Sequence, residues 1–314
     1  MFASRQFLSL LLLLTIKTIG TWAAGGHQMW TYTGQSGPVH WSQAFQACGG
    51  TRQSPINIET GSVKVEYWQP FIFKNYDDPP MVMRVANNGH TAKVEMDSHN
   101  APRVAQGGLK GDYIFAQLHF HWGGDSSQGS EHTIDGVRYP LEMHIVNYKA
   151  SYGNLGTAVQ KPDGLAVLGV MYEVSDTDNA ALTPLVNALA NITDAGLFAE
   201  VATPYPLRAF LPKDTEKFYR YEGSLTTPTC NEAVIWTVFD TPVRVSENQL
   251  NALRAMKTED GYKLINNYRP TQPLHGREVQ VSGASYSSAD SISMKNMGLA
   301  LYFISTMTVV MMNM

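Results

Sequence analysis

The chain has 314 residues, 44% of them hydrophobic and 16% charged, enough apolar content for a large core in one sizeable domain or two small ones. Its formal net charge of −4 comes without a basic cluster, which excludes a nucleic-acid surface of the electrostatic kind. No internal repeat or low-complexity run is present.

Residues 1–23 read as a secretory signal peptide. Arg5 supplies the positive start, residues 7–16 form a leucine-rich apolar run, and Thr21-Trp22-Ala23 ends on a small residue suited to cleavage, with Gly25 as the alternative point. The run is shorter than the roughly 20 residues a membrane-spanning helix needs. Losing this segment removes Arg5 and Lys17 and no acid, so the net charge goes from −4 to −4 − 2 = −6. A secretory route would expose Cys48 and Cys230, the only two cysteines, to an oxidising lumen, where they either bridge or stand as separate buried thiols.

The middle of the chain is strand-like. Residues 82–85, 92–96, 114–120, 141–148, 166–172 and 234–239 are short apolar or alternating runs between Gly, Asn, Asp and Pro breaks. Helix signals are fewer: Thr183-Pro184 opens 185–189, and Ser246-Glu247 opens 248–256 with a plausible cap. The pattern predicts a sheet core with peripheral helices. Asn191-Ile192-Thr193 is the one glycosylation sequon and fits a secretory route.

After residue 281 the character changes. Ser282-Gly283-Ala284-Ser285 is small, the stretch to 296 is mainly polar, and 297–314 is almost entirely apolar. Small residues, a polar spacer and an apolar tail form the signal for a glycolipid (GPI) anchor, with Ser282 or Gly283 best placed for attachment and Ser287 and Ser288 as alternatives. No basic stop follows the apolar stretch, which favours the glycolipid over a true membrane helix.

Chemistry concentrates in Gln117-Leu118-His119-Phe120-His121-Trp122 and Leu141-Glu142-Met143-His144-Ile145-Val146. On a strand, His119 and His121 share a face, as do Glu142, His144 and Val146. If the two strands pair, three imidazoles converge, and three neutral imidazoles leave one position of a tetrahedral zinc ion open, the layout of a catalytic site. Gln117 and Glu142 each lie two residues before a histidine on its own face, where they can take the other ring N–H and fix the tautomer.

Gln117 to Gly123, Ser130-Glu131-His132-Thr133, Glu142-x-His144 and Gly223-Ser224-Leu225-Thr226-Thr227-Pro228 together resemble the alpha-class carbonic anhydrases. Arg52-Gln53-Ser54-Pro55, Asn87-Asn88-Gly89-His90, Pro162 to Val167 and Tyr268-Arg269-Pro270 add to the likeness in the family's order and spacing, over residues 28–281. The signal and anchor stretches make it similar to the extracellular glycolipid-anchored type.

The resemblance implies a mainly β (α+β) catalytic domain at 24–281, with a large, twisted, mostly antiparallel central sheet, short peripheral helices and zinc at the floor of a conical cleft. Residues 282–296 would be anchor site and spacer, and 297–314 the signal removed on anchoring. It implies Zn²⁺ on His119, His121 and His144, zinc-hydroxide attack on CO₂ to give bicarbonate, and a proton shuttled out by His90. Thr226 would orient the attack with Glu131 as its proton acceptor, and Thr227 would help hold substrate. Val146, Val167, Leu225 and Trp236 would line the CO₂ pocket, Asn267 would back His121 through its carbonyl, and Tyr32 and Asn88 would organise the relay. Lys93 stands where fast family members carry a neutral polar residue; a cation there would lower the pKa of His90 and bear on relay speed. Cys48 and Cys230 would form a bridge bracing the Thr226 loop.

Two other readings compete. A non-catalytic cell-surface module of the same fold would lack ligand histidines, and all three are present. A zinc peptidase would carry His-Glu-x-x-His on a helix, and no such motif occurs.

Overall fold

The computed structural model describes residues 30–283. The signal peptide expected at 1–23, the apolar stretch 297–314 and the alternative anchor residues Ser287 and Ser288 lie outside the described residues.

All six expected strands form, most with longer ends: β1 (Val82–Asn87), β2 (Ala92–Asp97), β3 (Leu109–Trp122), β4 (Leu141–Lys149), β5 (Leu165–Ser175) and, beyond an unforeseen β6 (Phe218–Gly223), β7 (Val234–Phe239). They belong to one 13-stranded sheet. Its main path runs Phe198–Glu200, β1, β2, β3, β4, β5, β7, β6, Gln280–Ser282, Lys64–Glu66. Most pairings are antiparallel, as expected, but the sheet is mixed. Among the described residues β5 runs parallel to both β7 and Val243–Ser246, and Gln280–Ser282 runs parallel to Lys64–Glu66.

Alternation sorts the central strands onto two faces. Leu118, Phe120 and Trp122 of β3, Leu141, Met143 and Ile145 of β4, and Leu168, Val170 and Tyr172 of β5 enter the larger core. That core is covered by α1 (Thr183–Leu189) and α2 (Glu247–Arg254), which contribute Leu185, Leu189, Leu250 and Leu253. Helix α2 starts as its sequence suggested: Ser246 accepts from the Gln249 N–H at 3.1 Å and the Gln249 side chain returns to the Ser246 N–H at 3.2 Å, a capping box. The opposite face carries a second apolar cluster that includes Val146, Val167, Tyr221, Val234 and Trp236.

The β3–β4 register is broken once. Phe115 pairs with Asn147 but Gln117 with Val146, leaving Ala116 as a bulge. One extra residue reverses which face later side chains occupy. Phe115 thus joins the same core as Leu118 and Phe120, while Gln117, His119 and His121 all lie on the other face.

Candidate metal centre

β3 and β4 bring His119 directly opposite His144 and His121 opposite Glu142. The three imidazoles close into a triangle with centroid separations of 5.0, 5.2 and 4.6 Å. One nitrogen from each lies within 4.8 Å of the others. His121 and His144 are buried, and His119 alone keeps some exposure.

The outward nitrogens settle which atoms face the centre. His119 Nδ1 lies 3.0 Å from Gln117 Oε1, His121 Nδ1 lies 2.7 Å from the Asn267 carbonyl, and His144 Nε2 lies 2.7 Å from Glu142 Oε1. Each partner is an oxygen acceptor, so each of these nitrogens carries the proton and donates. His119 Nε2, His121 Nε2 and His144 Nδ1 are therefore lone pairs turned inward. His121 Nε2 and His144 Nδ1 stand 3.1 Å apart, a repulsive approach between lone pairs that a cation relieves. Burial, the largest cause in each case, pushes all three pKa values down, His121 to about 4, so the neutral, ligating form is favoured. This donor set fits zinc with one position left open.

Glu142 holds more than His144. Its Oε1 also takes His132 Nδ1 at 2.7 Å, and its Oε2 accepts the N–H groups of Glu131 and His132, both at 2.8 Å. Burial alone would raise its pKa, but the two imidazoles keep it well below the usual carboxylate value. His132 Nε2 continues to the Tyr221 hydroxyl at 2.6 Å, which reaches Ser54 Oγ at 2.8 Å. His132 and Ser54 fall within sequence motifs, but the sequence carries no signal that joins either of them, or Tyr221, to the histidine triangle.

Glu131 is buried beside the triangle. Its Oε1 accepts the Arg269 N–H at 2.7 Å. Its Oε2 has no hydrogen-bond partner and lies 3.4 Å from His121 Nε2 and 3.8 Å from His144 Nδ1. Burial pushes its pKa up to about 7, against an opposing pull from His144, the Arg269 N–H and the Thr226 hydroxyl. Thr226 is itself buried. Thr227 is half-buried, and its carbonyl accepts the Cys230 N–H at 2.8 Å. Cys230 is bonded to Cys48 across 182 residues, so the expected disulfide is present and closes the Thr226 loop.

Val146, Val167 and Trp236 share one cluster, with Leu225 packed against it. The Trp236 ring lies 4.7 Å from that of His144, which sets this apolar wall beside the ligands. His90 stacks on Trp30 at 3.8 Å, and burial lowers its pKa to about 4. Asn88 Oδ1 accepts the N–H groups of His90 and Thr91, at 3.0 and 2.9 Å, and shapes their turn. Tyr32 packs edge-on to Trp30 and Trp41, its pKa raised by burial first and then by Glu131. Lys93 stands opposite His119 on β2. Asn191 is exposed at a turn after α1. Ser282 and Gly283 lie between β6 and the outermost strand Lys64–Glu66: Ser282 Oγ accepts the Phe218 N–H at 3.0 Å, and the Gly283 N–H donates to Glu66 O at 2.7 Å.

The family profile described as eukaryotic-type carbonic anhydrase matches residues 36–283. Similar curated proteins include carbonic anhydrase 15 of Mus musculus, 36% identical with 88% of each chain covered. Carbonic anhydrase 6 of Bos taurus is 37% identical over 87% of this chain and 86% of its own. Carbonic anhydrase 7 of Homo sapiens is 37% identical over 82% of this chain and 98% of its own. Likeness of that extent, falling on the strands that build the histidine triangle, means that this chain belongs to the carbonic anhydrase family of zinc enzymes.

Proposed function

We propose that the protein interconverts CO₂ and bicarbonate plus a proton at the outer face of the plasma membrane. The observation that carries the chemistry is the set of three inward lone pairs, each fixed by an oxygen acceptor behind its ring. Zinc, when held by His119, His121 and His144, supplies the Lewis acidity that makes water nucleophilic near neutral pH, an effect best known from carbonic anhydrases themselves. The Thr226 hydroxyl donates a hydrogen bond to Glu131 and accepts one from the reacting water, which aligns that oxygen with CO₂. Val146, Val167, Leu225 and Trp236 offer the apolar surface that an uncharged substrate prefers, and Thr227 holds the bicarbonate. His90 carries the released proton outward, with Tyr32 and Asn88 ordering the path. Stacked on Trp30 its ring is a weak base, so this role needs the ring to leave the stack.

Stopped-flow CO₂ hydration, with zinc measured on the same secreted protein, tests this reading. Zinc near one per chain with fast hydration is expected. Zinc without hydration would instead favour a binding module built on the same fold.

The surface location rests on the sequence at both ends and on the disulfide. Cleavage near Ala23, a glycan on Asn191 and a glycolipid attached near Ser282 or Gly283 complete it. Phosphatidylinositol-specific phospholipase C is expected to release the protein from intact cells; retention after treatment would argue against the glycolipid.

A further inference from the structure

Strand β2 lies against β3 on the side of His119, and Lys93 is the residue directly opposite His119. Opposed residues of neighbouring strands point to the same face with Cβ atoms about 5 Å apart. Lys93 thus rises on the ligand face, beside the ligand that keeps some exposure. Its ammonium lies 2.8 Å from Glu95 Oε1, with 20% of the lysine side chain exposed against 44% of the glutamate. Glu95 stands opposite Arg84, whose guanidinium is engaged by Glu200 at 3.1 Å. The lysine charge reaches the centre: behind burial and the other imidazoles, it helps hold down the pKa of His119.

The substrates of this site differ in charge. CO₂ is neutral and bicarbonate carries one negative charge. A fixed cation beside the centre acts on the second and, to first order, not on the first. Resting on the carbonic anhydrase reading, we propose that Lys93 and its counter-ion Glu95 form a specificity-determining pair that sets how tightly the site holds bicarbonate and small inorganic anions, while leaving capture of CO₂ unchanged. Glu95 is the moderating half, because its charge offsets part of the lysine's field.

The effect has a kinetic signature. The overall equilibrium is fixed, so a change confined to bicarbonate binding leaves kcat/KM unchanged in both directions. KM and kcat for dehydration then move together, as they do when binding in the ground-state complex alone is altered.

The test uses the full chain, zinc-loaded for kinetics and cobalt-substituted for spectra, as wild type, Lys93→Gln, Lys93→Arg and Glu95→Gln. Thiocyanate and bicarbonate dissociation constants are read from the visible spectrum of the cobalt protein. Lys93→Gln is expected to weaken both by about fivefold, the scale of one partly screened charge near the site. Lys93→Arg should keep wild-type affinity, and Glu95→Gln should tighten it by about twofold. In zinc enzyme, Lys93→Gln should raise KM and kcat for bicarbonate together and leave kcat/KM for CO₂ unchanged. A metal-loaded Lys93→Gln protein with wild-type thiocyanate affinity would overturn the proposal alone. So would a fall in kcat/KM for CO₂ with no change in anion binding, since that marks a role in CO₂ conversion itself or in the structure of the site. Wild-type protein that takes up neither metal would overturn the underlying reading, and this proposal with it.

Discussion

Glu142 is the residue on which the centre's order turns, because one carboxylate accepts from two imidazoles and two backbone N–H groups. An amide of the same shape cannot match those acceptors with its nitrogen end. Glu142→Gln is expected to lower zinc affinity by about 10- to 100-fold, read by competition with a chelator. His144→Ala removes a ligand outright and is expected to leave well-folded protein without stoichiometric zinc, measured by atomic absorption. Thr226→Val should behave differently: zinc stays, and kcat/KM for CO₂ falls by about 100-fold, the scale of a lost positioning contact. A variant that lost zinc along with activity would place Thr226 among the metal's supports instead. Gln117, Glu142 and the ligand histidines were readable because each pair sits two apart on one strand. His132, Tyr221 and Ser54 were not, since the partners of Tyr221 lie 89 and 167 residues away in sequence.

Elements with a clear period were legible, and elements without one were not. β3, β4 and β7 alternate or run apolar between breaks, so their existence could be read, although β3 extends back to Leu109. Lys64–Glu66, Phe198–Glu200 and Gln280–Ser282 are three residues each, too short to show a period. β6 escaped for another reason. Its Arg220 is buried, donating to Gly107 O at 2.7 Å and Thr237 Oγ1 at 3.0 Å under the Trp68 and Phe218 rings, so a charge stands where a strand pattern wants an apolar residue. The Ala116 bulge leaves no mark in sequence at all, yet it sets the face of Phe115. The α2 cap was legible, and it is separable from the site: Ser246→Ala is expected to cost about 1 kcal/mol in urea unfolding with zinc content unchanged.

At the scale of the molecule, stability and metal binding are linked. The Cys48–Cys230 bond closes a loop of 182 residues around most of the sheet. Replacing both cysteines with serine is expected to cost about 2–5 kcal/mol, read from the urea midpoint in non-reducing buffer. Zinc binds the native triangle and not the dispersed histidines of the unfolded chain. Chelation should therefore lower Tm, and adding back zinc should restore it in a concentration-dependent way.

Asn267 joins parts of the chain made at very different times. Its carbonyl takes His121 Nδ1, its Oδ1 takes the Trp122 N–H at 2.7 Å, and its Nδ2 reaches His90 O at 3.0 Å and Phe120 O at 3.2 Å. A growing chain emerges N-terminus first. All three ligands are synthesised well before residue 267 arrives, so a nascent sheet can bring the imidazoles together while His121 still lacks the acceptor that fixes its tautomer. Full zinc affinity is then a property acquired late in synthesis. Ribosome-stalled chains ending before Asn267 should load zinc more weakly than chains that extend past it.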